Sequence, residues 1–290
     1  MSAFDEKTRA ERKQKQCVVS GATSGIGLHV ARGLASKGHR VVMLGRDETR
    51  LRSAVDEVRA YGSANAIVVP VLGDLATVES SRRAAAAIRA ELSDLHVLVH
   101  CAGIWATKKQ QSADGFESSF AVNHLAPFVL NEVMLPLLLQ SAAARIVQVS
   151  AGLYAKGVID LDGDPDGTSF HPLRSYATTK LWNLLATMDL ARTTSGSSLT
   201  VNAVHPGVVR TNLGQMNGPA GLVLRAVKQF WMTPDKGARA PLFLALAPDI
   251  ARMTGRYFDE RRETGLLFPA NDMKLARDVV ARTQELLRDR

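Results

Sequence analysis

Tyr176 and Lys180 stand four residues apart in the run Tyr-Ala-Thr-Thr-Lys, a spacing that puts both side chains on one face of a helix. A free phenol titrates at about pH 10, too high to trade a proton readily at neutral pH. An ammonium beside it stabilises the phenolate and lowers that value. The pair therefore reads as a general acid/base serving an oxygen held against the tyrosine. Such a spacing also occurs by chance on helix surfaces, so its force depends on what precedes it along the chain.

What precedes it begins with a glycine-rich turn. An apolar run ending at Ser20 leads into Gly21-Ala22-Thr23-Ser24-Gly25-Ile26-Gly27, and a helical pattern follows at once. Glycines permit a sharp strand-to-helix turn and let backbone amides approach a pyrophosphate, toward which the helix N-terminus adds partial positive charge. The next apolar run, 41–44, ends at Gly45 and Arg46. A carboxylate at that tip would bind the ribose 2′-hydroxyl of NAD, whereas an arginine fork suits a 2′-phosphate. Asp47 reads as the N-cap of the following helix. The cofactor expected is NADP(H).

The elements that must carry these groups follow from the apolar patterning. Val- and Ile-rich runs near 16–20, 40–44, 66–71, 95–100, 144–150, 199–204 and 256–258 alternate with helical segments near 25–37, 47–60, 77–92, 116–140, 173–194 and 236–247. This alternation predicts an α/β protein with a single Rossmann-type, doubly wound parallel sheet and helices on both faces. A dinucleotide would then lie across the carboxyl ends of the strands. Residues 1–15 read as a charged leader and 16–290 as one catalytic domain. Within it, the glycine-punctuated, then apolar, stretch near 212–235 reads as a substrate lid.

Bulk properties narrow the class. The 290 residues are 46% hydrophobic and 22% charged, with a net charge of +8, as expected of a globular chain with a sizeable core. The basic residues are interleaved with acids, as in Asp259-Glu260-Arg261-Arg262-Glu263, which describes a solvated surface and not a nucleic-acid footprint. Cys17 and Cys101 lie in apolar runs and read as reduced, buried thiols. No apolar run approaches the roughly 20 residues that span a bilayer. The expectation is a cytoplasmic protein without a nucleic-acid partner, membrane partner or metal.

Several separated motifs occur in order: Gly21-x-x-x-Gly25-Ile26-Gly27, Gly73-Asp74-Leu75, Ala102-Gly103, Val122-Asn123-His124-Leu125, Tyr176-x-x-x-Lys180 with Leu181 and Asn183, and 201–211 with Pro206-Gly207. In these the chain resembles the short-chain dehydrogenases/reductases, and within them the retinol-dehydrogenase-like and WW-domain-oxidoreductase-like reductases. The resemblance implies that Asp74 and Leu75 border the adenine and that Cys101, Ala102 and Gly103 line the ribose side. Asn123 would hold a water in a proton relay behind Lys180, which also bonds the nicotinamide ribose. Pro206, Gly207, Val209 and Thr211 would hold the carboxamide and pyrophosphate. It also implies a monomer or homo-oligomer, with the dimer favoured, through the helices near 116–140 and 173–194.

One position departs from that pattern. The family places a serine donor 25 residues before the tyrosine, where this chain has Ala151; Ser150 is one step earlier and points to the other side of an extended strand. Ser150 swung in by a bulge, Tyr154 as a substitute donor, or Tyr176 acting alone are the readings left open. Trp105, Ala151, Leu153, Tyr154, Met216, Phe230 and Trp231 are the candidates to line the substrate pocket. The activity expected is NADPH-dependent reduction of a ketone or aldehyde on a hydrophobic, aromatic or polycyclic small molecule, or the reverse oxidation. The alternatives are a carbon–carbon double-bond reductase and an NADP(H)-binding sensor or scaffold.

Overall fold

The computed structural model describes residues 14–210, 231–288 and 290. Most of the leader, Thr211, and 212–230 of the expected lid with Met216 and Phe230 lie outside the described residues. The strands are β1 (Gln16–Ser20), β2 (Arg40–Gly45), β3 (Ile67–Leu72), β4 (Val97–His100), β5 (Ala144–Val149), β6 (Leu199–His205), β7 (Tyr257–Asp259) and β8 (Arg262–Thr264). They form one sheet in the order β3-β2-β1-β4-β5-β6-β7-β8. All neighbours pair in parallel except β7 and β8, which are antiparallel. The chain runs outward from β1 to β3 and then returns to β4 beside β1, so a crevice opens at the carboxyl ends of β1 and β4.

Alternate residues of a strand face opposite sides of a sheet, and here both sides are buried. Cys17 and Val19 join one core with α1 (Gly25–Ser36), α2 (Glu48–Tyr61) and α6 (Pro234–Leu246); Val18 joins the other, with α3 (Val78–Ala90) and α4 (Ser118–Gln140). A third cluster, around Trp182, packs α5 (Pro172–Thr193) against α4 and α7 (Met273–Arg288). β4 and β5 are buried at every position, which is why Val97-Leu98-Val99 and Ile146-Val147 read as apolar stretches; His100, Arg145 and Gln148 are buried with them. The N-cap expectation holds: Asp47 accepts from the Arg50 amide at 2.9 Å.

Three features go beyond the sequence reading. α7 was not anticipated, although its buried Ala276, Val279, Thr283 and Leu287 have helical spacing. β8 was not anticipated either. Its three residues are exposed, so no apolar signal marks it, and it exists by pairing with β7 through a turn with Glu260 at φ 54°. The third is a correction concerning α4. By length and composition α4 is long and apolar enough to cross a membrane, yet 61% of its most apolar stretch is buried inside the fold. Its apolar character is explained by packing against α3 and α5.

Candidate active site

At the end of β1, the Ser20 hydroxyl accepts from the amides of Cys101 and Ala102, each at 3.2 Å. This fastens the carboxyl ends of β1 and β4 side by side. Gly21 follows at φ 64°, a left-handed conformation that disfavours side chains. A Cβ there would also sit 2.7 Å from the Ala102 Cα, and one on Gly27 would collide with the Gly21 carbonyl oxygen. The two glycines thereby let the turn pack closely on itself and on the segment after β4. Ser24 begins α1 without a side-chain cap, and no acid occupies the first turn, while α2, α3 and α5 are capped by Asp47, Thr77 and His171. Amides left without a cap and a bare glycine wall fit a pyrophosphate.

The other residues assigned to the nucleotide from sequence lie just beyond the carboxyl ends of β1, β2, β3, β4 and β6. Thr23 is half-buried beside Gly45. Arg46 is exposed at the tip of β2, and no ion pair engages it among the described residues. Asp74 is exposed, with Oδ1 accepting from the Leu75 and Ala76 amides at 2.8 and 3.2 Å, and Leu75 is buried in the core. Beyond β6, Pro206 and Val209 are buried and Gly207 lies at φ 83°. Val208 and Arg210 are clasped to Met232 by backbone bonds of 3.0 and 2.8 Å. Burial pushes the Cys101 thiol up to about 12, against the pull of Lys180, so it is a neutral wall residue.

The residues expected to transfer the proton meet across three elements. Asn123 lies in a widened π turn, Ala121–Leu125, inside α4, a distortion frequent at functional sites. Its Oδ1 accepts from the Ile104 amide at 2.8 Å, while Nδ2 donates to the Ile104 carbonyl at 2.9 Å and to the Thr179 hydroxyl at 3.0 Å. Thr179 in turn donates to the Tyr176 carbonyl at 2.8 Å. The loop after β4 is thus bolted to α5. A Cβ on Gly103 would lie 3.3 Å from Asn123 Oδ1 and 3.6 Å from Lys180 Nζ, so these three residues converge on one point. Lys180 Nζ donates to the Val149 carbonyl at 3.3 Å and sits 5.8 Å from the centre of the Tyr176 ring.

Electrostatically, burial dominates. It pulls Lys180 down to about 8 and pushes Tyr176 up to about 12. From spacing alone the ammonium is expected to lower the phenol; desolvation of the buried ring outweighs that attraction here. Trp105 contributes to the cover, stacking on Tyr176 with centroids 5.4 Å apart and donating Nε1–H to the Pro172 carbonyl at 2.9 Å.

The missing serine has a definite structural context. The Ser150 amide donates to the Val204 carbonyl at 2.8 Å, and Ala151 continues the extended backbone at φ −146° and ψ 142°. No bulge turns Ser150 toward the crevice, and its hydroxyl is buried without a partner. Tyr154 is a second correction. The 3₁₀ turn Gly152–Lys156 directs its ring into the core, edge-on to Tyr257 at 5.3 Å, and its hydroxyl accepts from the Leu267 amide at 3.1 Å. Leu153 and Trp231 are half-buried. The sequence reading missed Ile104 and Thr179 as the residues that anchor Asn123; only the position of Thr179 beside Lys180 hinted at it. His100 bonds Asn131 at 2.8 Å, and burial brings it down to about 4, so the imidazole is neutral.

Comparison with known proteins agrees with this architecture. Residues 15–220 match the family model described as short chain dehydrogenase. Mouse retinol dehydrogenase 14 is 37% identical over 279 residues, covering 91% of this chain and 83% of the relative. Mouse polyprenol dehydrogenase is 36% identical, covering 90% and 80%. Among solved structures, a protein from Mycobacterium paratuberculosis superposes with TM-score 0.74 at 29% identity over 95% of this chain and 94% of its own. A short chain dehydrogenase from Shigella flexneri, complexed with NADP, gives TM-score 0.65 at 25% identity, covering 85% and 97%.

Proposed function

Because this chain belongs to the short-chain dehydrogenase family, we propose that it is an NADPH-dependent reductase of ketones or aldehydes on hydrophobic small molecules, with Tyr176 as general acid. The observation that carries this reading is the convergence of Gly103, Asn123 and Lys180 beside Tyr176, at the carboxyl ends of β4 and β5. The bare turn at Gly21–Gly27 would hold the pyrophosphate and the Arg46 fork the 2′-phosphate, and the Shigella flexneri relative carries NADP. Bound there, the dinucleotide supplies the hydride.

The protein's own groups handle the proton. A phenol held up at about 12 stays protonated at neutral pH, which suits it to giving its proton to a carbonyl oxygen. Lys180, at about 8, remains largely an ammonium at neutral pH and stabilises the phenolate left behind. Asn123 spends both ends of its amide on Ile104 and Thr179, so its side chain acts as a brace that fixes the distance between α5 and the Gly103 loop. An apolar substrate agrees with the indole of Trp105 against Tyr176 and with relatives named for retinol and polyprenol, both apolar alcohols.

Ala151 favours a second reading, an NADP(H)-binding protein with little turnover, because no hydroxyl stands at that position. NADPH oxidation with a panel of bulky apolar ketones and quinones separates the two. Under the main reading Tyr176→Phe abolishes turnover and leaves NADPH affinity, measured by fluorescence titration, nearly intact. Substantial residual turnover removes Tyr176 from its assigned role.

A further inference from the structure

Behind the first turns of α5 lies a polar cavity of about 20 Å³, lined by Glu117 and Phe120 at the start of α4, by Gly163, Asp164, Gly167 and Ser169, and by Ser175, Thr178 and Thr179. It has room for one water-sized particle. We propose that it is a site for a single hard cation of the calcium class, held by Glu117, Asp164 and neighbouring hydroxyl and carbonyl oxygens.

Glu117 is 1% exposed. Its Oε2 accepts from the Phe120 amide at 2.9 Å and caps the helix, while its Oε1 is buried with no partner. A buried carboxylate in that condition is strongly unfavourable unless a cation or a proton compensates it. Asp164 shares the cavity. Its Oδ2 accepts from the Asp160 amide at 2.7 Å and from Trp182 Nε1 at 2.8 Å, and its Oδ1 has no bond among the described residues. Burial raises Asp164 above the ordinary carboxylate range, opposed by the hydrogen bonds from the Asp160 amide and Trp182 and by the Arg174 charge, while the Asp160 carboxylate adds a smaller upward push. No ion pair within 4.0 Å reaches either carboxylate among the described residues. Arg174 donates instead to the Ser169 carbonyl at 3.0 Å, and the Lys109 stem runs past Gly167.

The donor set selects the ion. The loop reads Asp160-Leu161-Asp162-Gly163-Asp164-Pro165-Asp166-Gly167, but Asp160 and Asp166 are engaged with backbone amides of the loop itself. No group of three or more His, Cys, Asp or Glu side chains that could hold a metal occurs among the described residues. Two carboxylates completed by hydroxyls, carbonyls and water suit a hard, oxygen-seeking cation with flexible geometry, and offer nothing to zinc or copper. Thr179 links this site to the proton-transfer groups: it lines the cavity, donates to the Tyr176 carbonyl and accepts from Asn123. The ion would act as a positioning element that ties the 160–167 loop and the start of α4 to the turn carrying Tyr176.

The test uses the whole chain, stripped with a chelator and titrated with terbium(III) and then with calcium. Trp182, hydrogen-bonded to Asp164, should sensitise terbium emission, and calcium should displace it. Calcium at a hundredfold excess over its dissociation constant should raise the melting temperature by about 5 °C. Glu117→Gln, whose amide oxygen can still cap Phe120, and Asp164→Asn should each lose both signals. If Glu117→Gln fails to fold, Asp164→Asn alone decides. Emission that survives in the variants, a melting temperature indifferent to millimolar calcium, or a Glu117→Gln protein as stable as its parent in calcium would overturn the proposal and assign the cavity to water.

Discussion

Lys180→Met should make the protein inactive and more stable at once, because the same burial that tunes the lysine also costs folding free energy. The ammonium is 6% exposed and falls from its ordinary 10.5 to about 8. At roughly 1.4 kcal/mol per pH unit, that drop is worth ~3 kcal/mol of destabilisation. Methionine gives up the 3.3 Å bond to the Val149 carbonyl, which returns about 1 kcal/mol. The net gain is ~2 kcal/mol at pH 7, or about 4 °C in melting temperature for a chain of this size. The sign with pH is fixed by which state binds the proton more weakly. Below pH 8 both the folded and unfolded lysines are charged, so the cost is present in full. Between about 8 and 10.5 only the unfolded lysine keeps its proton, and the cost fades as pH rises. Denaturant unfolding of parent and Lys180→Met at pH 7 and pH 10 should therefore show an advantage that shrinks to under ~1 kcal/mol at the higher pH. A variant less stable than the parent at pH 7, or an advantage that does not change with pH, refutes the claim that the ammonium is held against its own desolvation.

Two further substitutions probe the crevice. Ala151→Ser should raise kcat/KM for NADPH-dependent carbonyl reduction by about 10²–10³, the usual worth of one donor at a developing oxyanion. An unchanged rate in steady-state assays would mean that another group serves the oxygen. Arg46→Asp, at the exposed tip of β2, should weaken NADPH by about 10–100-fold, the loss of a charge-assisted bond worth ~1.5–3 kcal/mol, while NADH is bound as well or better. Equal losses for both dinucleotides, measured as KM or by isothermal titration, would remove Arg46 from phosphate recognition.

Much of this protein could be read along the chain because the information is local. Buried strands such as β4 and β5 draw on apolar stretches, Val97-Leu98-Val99 and Ile146-Val147, glycines at 21 and 27 answer close approaches of main chain, and Tyr176 and Lys180 share a helix face by spacing alone. α7 carries the same kind of local signal in Ala276, Val279 and Leu287, although the sequence reading passed over it. β8 has none, since Arg262, Glu263 and Thr264 carry no apolar pattern and become a strand only because β7 offers an edge.

Tertiary structure decided what depends on burial and on neighbours distant in sequence. Tyr154, a polar aromatic near the crevice by position, turned into the core because a 3₁₀ turn aimed its ring at Tyr257. The apolar character of α4 suits a bilayer as well as a protein interior, and only its packing shows that most of it faces the fold. Asn123 is a brace because Ile104 and Thr179, 19 and 56 residues away, arrive on either side of it. The balance between Tyr176 and Lys180 was decided likewise: an i to i+4 spacing brings the two charges near, but the water excluded around them, by residues from three elements, determines which effect on the proton is larger.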